Sequence, residues 1–130
     1  MKDSAVPGAA TAIIPNRNGA DLLTRLLPTL AAQTLPFEEV IVIDGASDDH
    51  SGTVARRGGA RLVRLDRNRG FAAAVNRGVR EARTDWVAVL NNDTELAPDW
   101  LEKLSAAARQ ESAWFAAGKV LRACDPRVLD

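Results

Sequence analysis

Carboxylate, amide and guanidinium side chains gather in four short segments of this 130-residue chain, and each segment follows an apolar run. Residues 16–18 and 67–70 supply amides and arginines, Asp44 supplies a carboxylate, and residues 91–94 read Asn-Asn-Asp-Thr. If the apolar runs are parallel strands of one sheet, these segments meet at the edge where such folds bind ligands. The alternative is that they are ordinary turn residues and helix caps. Their occurrence at four strand ends favours a site.

The chemistry that these groups suit is diphosphate binding through a divalent cation. No Gly-rich loop ends in Lys-Ser or Lys-Thr, and no Gly-x-Gly-x-x-Gly follows the first apolar run. A P-loop or a dinucleotide-binding domain is therefore not expected. An oxygen ligand such as the Asp93 carboxylate suits Mg²⁺ or Mn²⁺, which keep several waters and bridge to phosphate oxygens. Arg67 or Arg69 would add bidentate phosphate contacts.

The elements that must position these segments alternate between strands and helices. Apolar runs predict strands over residues 12–14, 40–43, 62–65, 86–90 and 114–121, the first stopped by Pro15 and the fourth buried. Helical spacing and turn residues predict helices over residues 21–33, 53–56, 71–82 and about 98–110. This order indicates an α/β fold, a mostly parallel sheet with helices on both faces. We expect residues 1–10 to form a flexible lead-in and residues 11–130 to form one domain.

Composition and charge exclude several classes of protein. Seventeen basic residues balance seventeen acidic ones, so no bulk field would attract nucleic acid or an anionic membrane. No apolar run reaches the roughly 18 residues of a transmembrane helix, and no signal peptide is recognised. Cys124 is the only cysteine and His50 the only histidine, which argues against an internal disulfide or a His-cluster zinc site. We expect a cytoplasmic protein, and peripheral membrane attachment through other segments or partners stays open.

In order and spacing, these segments resemble the N-terminal part of the family 2 glycosyltransferases, in the GT-A fold group, especially the rhamnosyltransferase-like members. Residues 11–18, Thr-Ala-Ile-Ile-Pro-Asn-Arg-Asn, look like their opening strand and Pro-Thr-Tyr-Asn loop. Residues 39–51 resemble their Val-Val-Asp-Asn-Gly-Ser-Thr-Asp-Gly-Ser segment. Residues 68–78 resemble their Asn-x-Gly-Phe-Ala-x-Ala-x-Asn-x-Gly helix start, and residues 90–94 stand where they place the Asp-x-Asp-type metal motif.

The resemblance implies a Rossmann-like GT-A nucleotide-binding half and a metal-assisted, inverting transfer of a sugar. The donor would be a nucleotide-diphosphate sugar, with dTDP-rhamnose favoured by the branch alone, and the acceptor a saccharide or a lipid-linked molecule. Pro15 would lie beside the base, Asp44 would accept a hydrogen bond from it, and Asp93 would bind Mg²⁺ or Mn²⁺. The other residues expected to contact the nucleotide sugar are Asn16, Arg17, Asn18, Ala46, Ser47, Asn68, Gly70, Asn76, Asn91 and Asn92.

Three departures from the family pattern bear on these roles. Arg17 replaces the usual tyrosine, so any stacking on the base there would be by a guanidinium group. Asn91 stands where the first aspartate of the metal motif often lies, which leaves Asp93 as one sure carboxylate and predicts weaker metal binding. Gly45-Ala46 replaces Asn-Gly, a change that we expect the turn to tolerate.

Length is the larger departure. Members of the family are at least twice as long, and their catalytic base lies beyond the metal motif. Asp125 stands in a Cys-Asp-Pro-Arg setting that does not match the family's base, so we assign no catalytic residue in this chain. We expect a C-terminally truncated chain. Two functions stay open: a glycosyltransferase, and a fragment that binds nucleotide without catalysing transfer. A receiver-type signalling domain is disfavoured because no acidic pair follows the first strand.

The remaining features favour structural roles. The three tryptophans are expected to pack in the core or against a subunit rather than to stack on sugar; they are Trp86, Trp100 and Trp114. Four arginines are interrupted by glycines and predict a solvated face rather than a nucleic-acid patch; they are Arg56, Arg57, Arg61 and Arg64.

Overall fold

The computed structural model describes residues 9–122 and residue 124, and the backbone of residues 125–129. Its main sheet has four strands, β1 (Ala10–Asn16), β2 (Glu39–Asp44), β3 (Arg61–Arg64) and β4 (Trp86–Val89). All pairings in this sheet are parallel, and the strand order is β3-β2-β1-β4. The helices α1 (Ala20–Ala31), α2 (Ser51–Arg57), α3 (Phe71–Glu81) and α4 (Trp100–Gln110) follow the four strands in turn. The predicted α/β class with a parallel sheet is confirmed.

Helices cover both faces of the sheet, as predicted. Successive side chains of a strand point to opposite faces, so Ala12 and Ile14 pack with the leucines of α1 while Ile13 packs toward α3. The absence of a side chain at Gly78 lets α3 lie directly on β1, since a Cβ there would be 2.3 Å from Ile13 Cγ2. Ile13 and Ile14 are fully buried. The two apolar layers hold the carboxyl ends of the strands at one edge.

The prediction that Pro15 stops the first strand is wrong, because β1 continues through Pro15 to Asn16. The pairing explains why proline is accepted. β4 pairs with β1 only as far as Ile13, whose carbonyl accepts from the N–H of Leu90 at 2.9 Å. Backbone groups of residues two apart point to the same side, so the nitrogen of Pro15 faces a side on which no described strand pairs with it. Its missing donor therefore costs no ladder hydrogen bond.

The predicted strand over residues 114–121 is also wrong. Residues 114–120 form no strand, and a short β5 (Leu121–Arg122) pairs antiparallel with β6 (Asp125–Leu129) away from the main sheet. An apolar run becomes a strand only where a neighbouring backbone offers hydrogen bonds, and no described strand of the main sheet offers them here. Trp114 is 96% exposed, so it does not pack in the core, and its packing against a subunit stays a prediction. Trp100 by contrast packs against the main core.

The fourth strand is only half covered, although its apolar sequence predicted full burial. Val87 and Val89 are 37% and 43% exposed because α3 packs over β1 and β2 instead. Most of the predicted flexible lead-in lies in residues 1–8, outside the described residues, and Ala10 already belongs to β1. Within the described part of the chain, no helix is both long and apolar enough to cross a bilayer.

The sequence predicted that Arg61 lies on a solvated face, but its guanidinium group is held by two carboxylates. Its Nε donates to Glu39 Oε1 at 2.6 Å, and its Nη1 donates to Glu81 Oε2 at 2.9 Å. Arg77 Nε donates to the other oxygen of Glu81 at 2.8 Å. Hydrogen bonds from Arg77, and then from Arg61, hold the pKa of Glu81 below its ordinary value. Glu39, Arg61 and Glu81 thus tie β2, β3 and α3 together at the edge of the sheet opposite the carboxyl edge.

Candidate functional site at the carboxyl edge of the sheet

The candidate site lies where the loops after the four parallel strands meet. Because β2 and β4 flank β1 on opposite sides, the strand order reverses between β1 and β4. In open α/β sheets, ligands bind in the crevice at such a switch point, outside the carboxyl ends of the strands. Asn16 ends β1 on one side of this crevice, and the segment from Asn91 to Thr94 follows β4 on the other. The sequence prediction that polar segments share one edge is confirmed for these loops.

A buried carboxylate organises the edge. Asp44, at the end of β2, has 0% relative exposure, and both of its oxygens accept hydrogen bonds. Oδ1 accepts from Ser47 Oγ at 2.6 Å and from Asn16 Nδ2 at 3.2 Å, while Oδ2 accepts from the N–H of Ser47 at 3.0 Å. Arg64 Nη1 lies 3.5 Å from Oδ2. A buried charge is tolerated only when it is paired and hydrogen-bonded, and here protein groups do both.

The network reaches the fourth loop through Asn92. Its Nδ2 donates to Asn16 Oδ1 at 2.9 Å, so Asp44, Asn16 and Asn92 form a continuous line from β2 to the loop after β4. We call Asp44, Asn16, Asn92, Ser47 and Arg64 the polar hub. Gly19 packs directly against it, because a Cβ at Gly19 would lie 2.4 Å from both Asn16 Oδ1 and Asn92 Nδ2.

Arg64 is a member of the site that the sequence did not reveal. It was expected on a solvated face with Arg61, yet its Nη2 donates to the carbonyl oxygen of Ser47 at 2.8 Å and its Nη1 approaches Asp44. The register explains this, since Arg64 pairs with Asp44 at the last position of β2 and β3. Its side chain is 52% exposed, so the guanidinium group connects the buried carboxylate with the open edge. Strand register, which the sequence does not specify, was the missing information.

The loops after β1 and β2 are joined by direct hydrogen bonds. Arg17 Nη1 donates to the carbonyl oxygen of Gly45 at 2.7 Å, which holds the guanidinium group against the loop after β2. The N–H of Asn18 donates to Ser47 Oγ at 2.8 Å, and Asn18 Oδ1 accepts from the N–H of Asp48 at 2.7 Å. Two predicted ligand-binding residues, Asn18 and Ser47, are thus already engaged in holding the loops.

The turn at Ala46 forms, as expected, but with backbone strain. Ala46 has a φ of 57°, in the left-handed region that glycine adopts without cost. An L-residue with a Cβ is less stable there by about 1–2 kcal/mol. The hydrogen bonds from Ser47 to Asp44 hold the turn in this conformation. An alanine at position 46, where the family pattern has glycine, is therefore tolerated at a cost in stability.

Asp49 fixes the start of two helices beside the site. Its Oδ2 accepts from the N–H of Ala20 at 3.1 Å, in the first turn of α1, and its Oδ1 accepts from the N–H of Ser51 at 2.9 Å, in the first turn of α2. Ser51 Oγ donates to the same oxygen. Burial is the largest influence on the pKa of Asp49 and raises it, but these hydrogen bonds from Ser51 and Ala20 outweigh it and lower the pKa.

The loop after β3 is more open than the other loops. Asn68 Oδ1 accepts from the N–H of Gly70 at 3.0 Å, and Gly70 has a φ of 86°, a conformation that requires glycine. Arg69 makes a two-pronged ion pair with Asp66, with both contacts at 3.2 Å, and a phosphate would have to compete with it. The side chain of Asn76, on α3, is exposed and makes no hydrogen bond to the polar hub.

The residues after β4 form a turn that presents Asp93. Thr94 Oγ1 donates to the carbonyl oxygen of Asn91 at 2.7 Å and closes the turn, and the side chain of Asp93 is exposed. Within the described part of the chain, no three His, Cys, Asp or Glu side chains are grouped to hold a metal. One carboxylate fits Mg²⁺ or Mn²⁺ when phosphate oxygens and water complete the coordination. The donor set therefore fits a cation that arrives with a diphosphate.

Comparison with known proteins places the chain in a family. A model of the family "Glycosyl transferase family 2" matches residues 11–129. The chain belongs to this family. Succinoglycan biosynthesis protein ExoO of Rhizobium meliloti (strain 1021) is 35% identical over 97 residues, which are 72% of this chain and 28% of that protein. ExoU of the same organism is 33% identical over 106 residues, 78% of this chain and 31% of ExoU.

Solved structures agree on the fold. The structure of S. aureus TarS 1-349 in complex with UDP is similar over 80% of this family 2 glycosyltransferase chain and 33% of the TarS chain. The TM-score is 0.71 and the sequence identity is 24%. The mannosyltransferase PcManGT from Pyrobaculum calidifontis, in complex with GDP-Man and Mn²⁺, matches 85% of this chain and 33% of its own, with a TM-score of 0.68 and 29% identity. The fold is that of GT-A glycosyltransferases. The chain spans about a third of the length of these relatives.

Proposed function

We propose that this chain is the donor-binding part of a glycosyltransferase that moves a sugar from a nucleotide diphosphate to an acceptor hydroxyl with inversion. The observation that carries the proposal is the polar hub, which joins the carboxyl ends of β1, β2 and β3 to the loop after β4, beside an exposed Asp93. Membership of family 2 supports it. The fold-related PcManGT and TarS, which were crystallised with GDP-Man and Mn²⁺ and with UDP, support it further.

The nucleotide would lie across the crevice between β1 and β4. Pro15 and Arg17 border it on the β1 side, and the nucleotide would extend along the carboxyl edge past β2 toward the open loop at Asn68 and Gly70 after β3. A hydrogen bond from a base to Asp44 stays a prediction. It requires a donor to displace one of the protein groups on this buried carboxylate, and the 3.5 Å contact with Arg64 Nη1 is the longest of these. Arg64 is therefore the group that we expect to respond first to a base.

Asp93 would hold the divalent cation, with the amide oxygens of Asn91 and Asn92 close by in the chain. When bound, such a cation acts as a Lewis acid that stabilises the negative charge on a departing nucleotide diphosphate. The residues of this chain bind and orient the donor, and Arg67 or Arg69 adds positive charge at the same edge. We propose no catalytic base among the described residues. The rhamnosyltransferase-like branch and dTDP-rhamnose as donor stay predictions.

A second candidate is nucleotide binding without transfer. The chain spans 28% and 31% of the length of its relatives ExoO and ExoU. Transfer needs a group that accepts the proton of the acceptor hydroxyl. Donor turnover measured beside donor binding separates the two candidates, because only the first predicts release of nucleotide diphosphate from the sugar donor.

Calorimetry with UDP, GDP and dTDP, each with and without Mn²⁺, tests the proposal. We expect one of these nucleotides to bind at least about tenfold more tightly with Mn²⁺, within the usual range of coupling between two ligands. Asp93→Asn, which keeps shape and removes the charge, should abolish the effect of Mn²⁺. Glu111→Gln makes the same kind of exchange at an exposed position after α4 and should not. Absence of binding of all three nucleotides to the wild-type chain would overturn the proposal.

A further inference from the structure

The side-chain amide of Asn16 has a direction that its neighbours impose. Both oxygens of Asp44 accept hydrogen bonds from Ser47. A carboxylate oxygen has no hydrogen to donate, so the atom of Asn16 that faces Asp44 Oδ1 at 3.2 Å must be the donor, Nδ2. Oδ1 of Asn16 must then face the other way, where it accepts from Asn92 Nδ2 at 2.9 Å. The charge on Asp44 thus selects the orientation of Asn16, and Asn16 selects that of Asn92.

The consequence reaches the predicted metal loop. With Nδ2 of Asn92 turned toward Asn16, Oδ1 of Asn92 makes no hydrogen bond to the described residues, and it belongs to the residue next to Asp93. Asn16 itself is 5% exposed, and both ends of its amide are occupied by protein groups. Both polar atoms of its side chain thus face protein partners and little of the residue is open to a nucleotide, although the sequence placed it among the nucleotide-binding residues. Gly19 closes the remaining space around this pair.

We propose that Asn16 is a positioning residue that holds the loop carrying Asp93 in register with the buried carboxylate of Asp44. The inference rests on the proposed function, since it concerns how the two halves of a donor site are kept at a fixed distance. Asn16 acts through Asn92 and contacts neither the base nor the cation. Loss of the amide pattern leaves Asp93 in place in the sequence but free to take other positions relative to the crevice.

A charge exchange within the hub isolates this role. Asn16→Asp replaces the amide that donates to Asp44 with a second carboxylate at the position of a 3.2 Å hydrogen bond, and repulsion between the two like charges pushes these side chains apart. Adding Asp44→Asn restores one carboxylate and one amide with their places exchanged. The carboxylate at position 16 can then accept from Asn92 and from the new amide at position 44. The net charge of the hub is that of the wild type, and Ser47 Oγ, which donates to Asp44 Oδ1 in the wild type, accepts instead from the new amide nitrogen at position 44.

The experiment compares the wild-type chain with Asn16→Asp, Asp44→Asn and the double variant. Gln110→Glu, an amide-to-acid exchange at the exposed end of α4, is the matched control. The readouts are Tm, the ¹H–¹⁵N resonance of the Asn92 side-chain amide, and the Kd of the best-binding nucleotide with Mn²⁺. We expect Asn16→Asp to shift the resonance and to weaken binding in Mn²⁺ by about tenfold or more. The double variant should return both close to the wild-type values.

Each outcome decides the inference. Wild-type resonance and Kd in Asn16→Asp, or no recovery of either in the double variant, overturn it. If Asn16→Asp does not fold, recovery of folding and of Mn²⁺-dependent binding in the double variant supports it, and failure of both variants to fold overturns it. If the wild-type chain binds no nucleotide, the proposed function falls, and the Asn92 resonance alone then decides whether Asn16 holds the loop. A change in Tm without a change in the Asn92 resonance indicates a purely structural role and overturns the proposal.

Discussion

Substitution of Gly19 by alanine tests the packing of the polar hub with a single methyl group. The new Cβ would lie 2.4 Å from Asn16 Oδ1 and from Asn92 Nδ2, so one side chain must move. Asn16 is buried within β1, whereas Asn92 lies in a loop and is half-buried. We therefore expect Asn92 to give way and to leave Asn16 Oδ1 buried without a donor.

The size of the effect follows from that lost hydrogen bond. A buried acceptor left unpaired costs about 1–3 kcal/mol, and the smaller entropy of an unfolded chain with alanine returns about 0.4–1 kcal/mol. The net loss of about 1–2 kcal/mol corresponds to a fall in Tm of about 3–8 °C for a domain of this size. Differential scanning calorimetry measures it. Gly45→Ala is the control, because a Cβ at Gly45 meets nothing closer than 3.5 Å.

A double-mutant cycle shows whether the methyl group acts through Asn92. In an Asn92→Ala background the methyl group has room on one side, so Gly19→Ala should cost less there than in the wild-type chain. Residues in contact commonly show interaction energies of about 0.5–3 kcal/mol. Additive effects of the two substitutions, or equal falls in Tm for Gly19→Ala and Gly45→Ala, would refute the reasoning. Either result would mean that the cost arises from the start of α1, where Gly19 is the N-cap.

Three further predictions concern metal binding, strain and pH. Asn91→Asp should tighten Mn²⁺ binding in calorimetry by adding a second carboxylate near Asp93, and an unchanged Kd contradicts the assignment of this loop as the metal motif. Ala46→Gly should relieve the left-handed backbone and raise the free energy of unfolding by about 1 kcal/mol, which raises Tm. A fall in Tm would contradict the strain. The folded-state pKa of Glu81 is depressed, so its stabilisation is present above its ordinary pKa and is lost as pH falls through the folded value. In urea titrations from pH 6 to about 3, Glu81→Gln should therefore lose less stability on acidification than the wild type, while Glu111→Gln should follow the wild type.

The strand and helix order was predictable because each strand is a short apolar run that ends in polar turn residues. Residues 40–43 illustrate this, since four β-branched side chains are followed directly by Asp44. Parallel strands buried on both faces produce such runs. The same rule failed for residues 114–121, where the apolar run lies outside the main sheet. Composition alone does not tell whether a neighbouring strand is available.

The site was predictable as a set of loops but not as a network. The residue types and the family resemblance brought Asn16, Asp44 and Asn92 together, yet they assigned all three to the ligand rather than to one another. Their mutual hydrogen bonds depend on strand order, and Arg64 depends on the register of β3 with β2. Both are long-range properties. A sequence read from one chain contains no direct information about them.

The covalent structure of Pro15 has a consequence for the crevice itself. Two neighbouring parallel strands with free backbone groups can extend their ladder and close the gap between them. Here, pairing of β4 with β1 beyond Ile13 would need a hydrogen bond from the backbone nitrogen of Pro15, and that nitrogen carries no hydrogen. The two strands therefore part at the same residue whether or not a ligand is present. The opening between them belongs to the empty protein, and a ligand that enters it meets a gap already formed and does not have to break backbone hydrogen bonds.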